Sequence, residues 1–356
     1  MKKIGILTTG GDCSGLNSTI LRLTQIGTRR GHQMFGLPDG TDVLTSQARA
    51  TMDMLVPLTP TSLPADMNRM SGSHLQSGNA RNVNWRNCTL EECKNNTRKN
   101  LKALGLDALV IIGGNGSMSL SYTNKDAYAA VQLVYIPKTI DMDVPLTDSC
   151  IGFKTAVNEL TKYADQILLT ARSHHRWFVI QTMGRDNGFL ALHAGIASNA
   201  SAILIPESKW KLEDLIKHIK KQPTDYGIIM VSEGCEIRGH SGKPADIIVR
   251  ELTKHGISSR AGHPEHMQRA GDTIAKDRIL AATYANAAMN AIDNSETMVA
   301  TLEKDNVVRT VPLEEIMNAG RPVDDPNIGD MMVTTLYVSE DDPLIQTAIE
   351  SGIFIE

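Results

Sequence analysis

The sequence predicts an α/β protein built on mainly parallel sheet. Three observations carry that expectation. Short apolar runs without polar alternation recur along the chain, as strands covered on both faces require. Amphipathic helical patterns lie between them. Each run ends in a loop holding glycine or an ionisable residue, the composition of the ligand-binding edge of an open parallel sheet.

The first run, Ile4–Thr8, enters the turn Gly10-Gly11-Asp12-Cys13-Ser14-Gly15, with a helix starting near Leu16 and patterned over Asn17–Thr28. Met52–Asn84, rich in Pro, Ser, Asn and Gly, predicts a long loop or cap. A helix over Leu90–Leu104 leads to the run Ala108–Ile112 and the loop Gly113-Gly114-Asn115-Gly116-Ser117. Val131–Ile136 ends in Pro137-Lys138-Thr139-Ile140-Asp141-Met142-Asp143, followed by a helix over Lys154–Thr170. Trp177–Thr182 runs into Met183-Gly184-Arg185-Asp186, and Ala202–Ile205 into Pro206-Glu207. A helix over Leu212–Lys221 precedes Gly227–Val231, which ends in Ser232-Glu233-Gly234. Gly239–Gly242 is a turn, and Asp324–Asp330 a surface loop before a last strand over Met331–Val338. Strand ends so rich in Gly, Asp, Arg and Glu predict one large ligand cleft.

The 356 residues are 41% hydrophobic, enough for two domains or one large α/β unit. Lys+Arg 36 against Asp+Glu 40 leaves a net charge of −4 with no basic block, which argues against a nucleic-acid partner. No apolar run reaches the roughly 18 residues of a membrane span. The opening Met1–Leu7 breaks at once into Thr-Thr-Gly-Gly, a first strand and not a signal peptide. The five cysteines, Cys13, Cys88, Cys93, Cys150 and Cys235, lack CxxC or ribbon spacing, so free thiols in a reducing cytoplasm are expected. Cys13, in a glycine-rich turn ahead of a helix, fits either a small turn residue or a reactive thiol.

The chemistry concentrates at the strand ends. Glycines at 10 and 11 let backbone N–H groups approach a phosphate at a helix N-terminus. The Gly113–Ser119 stretch is neither a Walker A loop nor a good dinucleotide fingerprint, but it serves as a generic phosphate loop. Asp141 and Asp143, at i and i+2, face one side if the chain is extended, so one can act as general base and the other near a divalent metal. Arg81, Arg176, Arg185, Arg260, His266 and Arg269 are candidates for holding an anionic substrate. The residues alone therefore indicate a magnesium-dependent phosphoryl transferase acting on a phosphorylated metabolite.

From Lys3 to about Ala291 the chain resembles the phosphofructokinases, the ATP- or pyrophosphate-dependent 6-phosphofructokinases. The motifs that carry this are Gly10-Gly11-Asp12, Gly78-Asn79-Ala80-Arg81, Gly113–Ser117, Thr139-Ile140-Asp141, Met183-Gly184-Arg185 and His266-Met267-Gln268-Arg269-Ala270-Gly271. Leu190–Ala197 resembles the branch in which the two donor types are mixed. The resemblance implies two similar three-layer α/β domains with mainly parallel sheets and the active site in the cleft between them. Residues 1–140 with about 260–305 would form the donor-phosphate domain, and 141–259 with about 306–356 the sugar-phosphate domain. It implies Asp141 as the base for the 1-hydroxyl of fructose 6-phosphate, with Thr139 and Arg185 beside the transferred group. Gly11, Arg81, Asn82, Gly114, Asn115, Gly116, Ser117 and Lys138 would face the donor. Met183, Gly184, Arg185, Glu233, His266 and Arg269 would bind the sugar phosphate, with Arg176 and Arg260 crossing from a neighbouring subunit of a homo-oligomer. Mg²⁺ would be the cofactor, near Asn115 and Asp143, in a cytoplasmic enzyme of glycolysis.

The chain departs from the family pattern at named positions. Asn115 replaces an acidic residue tied to the metal, and Met142 an asparagine between the aspartates. Thr41 stands where many ATP users carry an aromatic residue, and Leu21 and Gln25 replace effector-binding arginines. The donor signals diverge. Gly116 is the ATP-type residue, whereas Lys138 is that of pyrophosphate users or, more blandly, a solvent-facing charge. Steric exclusion favours ATP, with pyrophosphate the alternative. A catalytically weakened sugar-phosphate-binding paralogue is a reading of another class. A dinucleotide oxidoreductase rests only on Gly114-x-Gly116 and lacks an acidic ribose partner.

Overall fold

The computed structural model describes residues 1–78, 89–322, 334–335, 338–339 and 341–354. Its strands are β1 (Lys3–Thr9), β2 (Gln33–Gly36), β3 (Val56–Leu58), β4 (Ala108–Gly113), β5 (Gln132–Thr139), β6 (Ile151–Gly152), β7 (Trp177–Thr182), β8 (Ala202–Leu204), β9 (Gly227–Ser232), β10 (Ser259–Gly262), β11 (Val299–Lys304), β12 (Val307–Pro312), β13 (Arg321–Pro322) and β14 (Thr334–Thr335). The helices are α1 (Leu16–Arg29), α2 (Asp42–Thr45), α3 (Leu90–Leu104), α4 (Asn115–Thr123), α5 (Phe153–Ser173), α6 (Phe189–Ala197), α7 (Leu212–Lys221), α8 (Pro244–Lys254), α9 (Ala275–Asp293), α10 (Leu313–Ala319) and α11 (Pro343–Glu350). The chain divides into two compact units. The first comprises Met1–Thr139, Val144–Lys154 and Asp272–Leu336; the second comprises Ile140–Asp143, Thr155–Gly271 and Tyr337–Glu356. Residues 260–271 thus fall in the second unit and 306–336 in the first, unlike the domain bounds expected from sequence.

The first unit is built on an eight-stranded sheet in the order β12-β11-β5-β4-β1-β2-β3, with β6 also pairing β5. Only the β2–β3 and β11–β12 pairings are antiparallel. Every residue of β4 is buried, which is why its sequence is continuously apolar. Helix α3 starts on a capping box, in which Thr89 and Glu92 satisfy each other's backbone N–H, and stops at Gly105, whose φ of 58° suits glycine. The alanine-rich α9 packs against α1, and its Tyr284 hydroxyl is buried, donating to Ser149 O at 2.6 Å.

The second unit holds a four-stranded, all-parallel sheet, β10-β7-β9-β8. Side chains alternate across it, as strand geometry requires. Trp177, Val179, Leu204, Ile229 and Val231 join Leu215 and Ile219 of α7 and Ile248 of α8 in one core. Ile203 and Met230 turn the other way, towards Gly195 of α6. Helices therefore cover both faces, and this unit is three-layered.

The α/β class is as read from sequence, but several local expectations are corrected. Met52–Asn84 is not loop throughout: Val56–Leu58 forms β3 and pairs β2, covering an edge that periodicity does not reveal. Strand β5 runs on through Lys138 and Thr139, because β6 supplies them with ladder partners. Of the expected Met331–Val338 strand, the described residues are Thr334–Thr335, paired to Arg321–Pro322, and Val338, which is not in a strand. Cys93 is disulfide-bonded, which corrects the expectation of five free thiols; a disulfide joins cysteines by proximity in the fold and needs no CxxC or ribbon spacing. Cys13, Cys150 and Cys235 are buried and form no disulfide. Cys88 lies outside the described residues. No helix among the described residues is long and apolar enough to cross a membrane.

Candidate active site

In the first unit, β1, β4 and β5 are sheet neighbours, with Thr9 opposite Gly113 and Gly113 opposite Pro137. Their carboxyl-end loops therefore emerge side by side, and they converge on Gly10. A β-carbon built there would lie 3.5 Å from Lys138 Nζ, 3.6 Å from Ser117 Oγ and 3.8 Å from Gly114 N. Gly10 has a φ of 81°, a conformation that favours glycine and keeps the surface open to a ligand. Gly114 caps α4, so the backbone N–H groups of Asn115, Gly116 and Ser117 form a helix N-terminus beside this point. Beneath it, the buried Tyr135 hydroxyl donates to Gly114 O at 2.9 Å and Ser77 Oγ donates to Gly10 O at 2.6 Å.

Lys138 is only 2% exposed and its ammonium donates to Gly11 O, which overturns the reading of a solvent-facing charge. The extended β5 carries the side chain inward among the glycine loops. A cation, backbone N–H donors and a hydroxyl thus meet in one cradle, a composition suited to phosphate. A β-carbon at Gly116 would meet nothing within 4 Å. Thr41 borders a small pocket with Thr45, Lys94, Leu120 and Asn124. Arg81 and Asn82 lie outside the described residues. Cys13 is 1% exposed and donates its thiol to Ile151 O at 3.5 Å, so it is a packed turn residue and not a reactive thiol.

The chain leaves the first unit after Thr139, which is buried, and Ile140–Asp143 belongs to the second. Met142 has a φ of 56°. The Asp141–Asp143 segment is therefore not extended, and the expectation that both carboxylates share one face through an extended chain is corrected. A left-handed methionine between two aspartates is a costly conformation of the kind found at functional loops. Asp143 is buried, and Asp141 is partly buried with its backbone oxygen held by Asn187 Nδ2 at 2.9 Å.

The loop after β7 is held from several sides. Met183 N donates to Gln268 Oε1 at 2.9 Å, and Gln268 Nε2 donates to Glu265 O at 3.1 Å, which ties this loop to the turn bearing His266 and Arg269. Arg185, with a φ of 56°, donates its backbone N–H to Glu233 Oε1 at 2.9 Å. Its guanidinium is partly exposed and pairs with Asp186 at 3.2 Å. Gly184 has a φ of 135°, and a β-carbon there would lie 2.6 Å from Asn187 O. Asn187 is 1% exposed; it accepts from Phe189 N through Oδ1 at 3.3 Å, and its backbone oxygen accepts from Ser232 Oγ at 2.7 Å. One buried asparagine, through its side-chain amide and its backbone oxygen, therefore links the Asp141 segment, the Arg185 loop and the end of β9.

Sequence reasoning assigned no role to Asn187, Gln268 or Tyr135: Asn187 and Tyr135 are common residues outside the site motifs, and Gln268 lies within His266–Gly271 between the two residues that drew the reading. The only signal for Asn187 is its place in the turn Arg185-Asp186-Asn187-Gly188. Arg176 and Arg260 do not join this cluster. Arg176 precedes β7, and Arg260 is in register with Phe178, so they stand at the amino end of the sheet, about 20 Å and about 13 Å of strand respectively from the Met183 loop.

A family model described as phosphofructokinase matches residues 3–292. The chain is 31% identical to "ATP-dependent 6-phosphofructokinase 1" of Nostoc sp., covering 99% of this chain and 98% of that one. It is 35% identical to the "ATP-dependent 6-phosphofructokinase" of Lactobacillus acidophilus, covering 82% and 86%. Among solved structures, phosphofructokinase from Saccharomyces cerevisiae superposes with a TM-score of 0.76 at 27% identity, over 88% of this chain and 45% of that longer chain. A pyrophosphate-dependent phosphofructokinase from Marinobacter aquaeolei shares the fold, with a TM-score of 0.75 at 18% identity over 100% of this chain and 89% of that one.

Proposed function

The chain belongs to the phosphofructokinase family, and from that premise we propose that it transfers a phosphoryl group from ATP to the 1-hydroxyl of fructose 6-phosphate. As a member it is a phosphotransferase with a hydroxyl acceptor. The observation that carries the donor is Gly116: its missing side chain leaves open space beside the phosphate cradle, where a nucleotide's phosphate chain has room. Relatives named ATP-dependent, at 31% and 35% identity, support the same donor.

In this reading the Asp141 carboxylate takes the proton of the 1-hydroxyl as its oxygen attacks the terminal phosphorus, and the bond from that phosphorus to the bridging oxygen of ATP breaks. A positioned base of this kind contributes roughly 10²–10⁴-fold. Thr139 and Arg185 hydrogen-bond the transferred group, and Gly11, Gly114, Asn115, Gly116, Ser117 and Lys138, with Arg81 and Asn82, hold the donor. Met183, Gly184, Glu233, His266 and Arg269 bind the sugar phosphate. Glu233 Oε1 is already engaged by Arg185 N, so its other oxygen serves the sugar. Arg176 and Arg260, at the far end of their sheet, serve a neighbouring copy in a homo-oligomer. The enzyme works in the cytoplasm, without nucleic acid or membrane.

Magnesium fits the residues available. No cluster of three or more His, Cys, Asp or Glu side chains exists among the described residues. Mg²⁺ needs none, since it is commonly held by one or two carboxylates together with substrate phosphates and water. The Asp143 carboxylate and the Asn115 amide oxygen are hard oxygen donors of that type. When bound, the ion neutralises charge on the donor phosphates.

The buried Lys138 ammonium favours a second reading, in which pyrophosphate is the donor. A coupled assay of fructose 1,6-bisphosphate formation, run in parallel with ATP and with pyrophosphate, tests both. ATP turnover alone supports the first reading, and pyrophosphate turnover alone replaces it.

A further inference from the structure

Pro206-Glu207, at the end of β8, has no role in the reaction described above. Glu207 is nonetheless held in an unusual way. Its Oε1 accepts two backbone N–H groups, from Gly188 at 3.0 Å and from Val338 at 3.1 Å. Its Oε2 is buried without a hydrogen-bond partner among the described residues. Gly188 packs so closely that a β-carbon there would lie 2.8 Å from Oε2 and 2.4 Å from Ile205 Cβ. Gly188 also directly follows Arg185-Asp186-Asn187 and caps α6. Val338 belongs to the C-terminal segment, which is anchored elsewhere on the same unit. Helix α11 packs against α6, and Ile203 N donates to Ile353 O at 2.8 Å on the edge strand β8.

We propose that Glu207 is a positioning residue for the sugar-phosphate site, joining the C-terminal segment to the loop that carries Arg185 and Asn187. This rests on the function proposed above. The connection runs from Val338 N–H through the Glu207 carboxylate to Gly188 N–H. From there it reaches Asn187, whose amide fixes the Asp141 backbone. Glu207 touches neither reactant; it sets where the Arg185 loop lies. A C-terminal segment more than a hundred residues further along the chain is thereby part of the acceptor site's support.

The test uses the full-length protein with Glu207→Ala, Glu207→Gln, Val338→Pro and Val338→Ala, read by steady-state kinetics and by hydrogen exchange over residues 183–190. Glu207→Ala and Val338→Pro should each raise the KM for fructose 6-phosphate and lower kcat, about tenfold together in kcat/KM. The KM for the phosphoryl donor should stay within about twofold. The expected rescue is by Glu207→Gln, which keeps an acceptor oxygen, and by Val338→Ala, which keeps the N–H. Val338→Pro should also speed amide exchange at 183–190, although it lies far away in sequence. Unchanged exchange there in a folded Val338→Pro variant overturns the proposal, whatever the turnover. Equal loss towards both substrates in Glu207→Ala and Glu207→Gln also overturns it, since that is the pattern of general destabilisation. If the native protein does not phosphorylate fructose 6-phosphate yet exchange responds as stated, the coupling stands and the function reading fails.

Discussion

Replacing Asn187 by alanine isolates the link between the Asp141 segment and the Arg185 loop. The side chain is 1% exposed and supplies a 2.9 Å bond to Asp141 O and a 3.3 Å acceptor for Phe189 N. Its removal leaves a carbonyl and an amide N–H short of partners, each at about 1–3 kcal/mol if water does not replace them. The second unit should lose about 2–6 kcal/mol of stability on that basis. The catalytic effect is a separate quantity. A base displaced by about 1 Å can cost on the order of 10²-fold, so kcat should fall about 10- to 100-fold with a smaller change in donor KM. Urea denaturation and steady-state kinetics on the same preparation measure the two effects. Asn187→Asp is the sharper control, because it preserves an acceptor for Phe189 N but turns a carboxylate oxygen towards Asp141 O. It should be at least as impaired in kcat as the alanine variant. Full turnover in a folded Asn187→Ala protein would refute the claim that this amide positions Asp141.

The other predictions follow the same separation of fold from chemistry. Asp141→Ser should lower kcat by two to four orders of magnitude, about the worth of a general base, while fructose 6-phosphate still binds by titration calorimetry. An unchanged trace rate would instead favour the weakened paralogue suggested by Asn115 and Met142. Gly116→Asp points its side chain into open space, so the melting temperature should hold while ATP turnover falls at least tenfold relative to pyrophosphate. Burial raises the pKa of Glu207 against the lowering effect of its backbone N–H bonds. The folded state therefore holds the proton more tightly than the unfolded chain does. That contribution to stability is present below the ordinary glutamate range and lost as pH rises through the raised folded value. Glu207→Gln, which does not ionise, should gain stability relative to the native chain as pH rises from about 4 to about 8 in thermal melts.

What sequence could disclose follows from burial. The continuous apolar runs became the parallel strands β1, β4, β5, β7, β8 and β9, because a strand covered on both faces has no polar alternation. Strands β2, β3, β10 and β12 are short or carry exposed residues, and they owe their pairing to neighbours that a local window does not contain. Helix α6 is apolar almost throughout and α9 is alanine-rich, so neither shows a clear polar face. In the site, charged residues beside glycines were legible, since those types rarely gather without a ligand. The left-handed Met142 was not, because backbone conformation there is set by tertiary contacts. The roles of Asn187 and of Gln268, which lies inside the His266–Gly271 motif, were not legible for a different reason. Their effect is to hold other residues in place, and a single asparagine or glutamine in a turn looks like any other.

The reaction proposed for this chain is phosphorylation of fructose 6-phosphate by ATP. Its most direct test is the rate of fructose 1,6-bisphosphate formation with Mg²⁺ and saturating fructose 6-phosphate, donor by donor. Turnover with ATP is expected to exceed the pyrophosphate rate at least tenfold. A protein that turns over with pyrophosphate alone, or with neither donor while still binding the sugar phosphate, contradicts it.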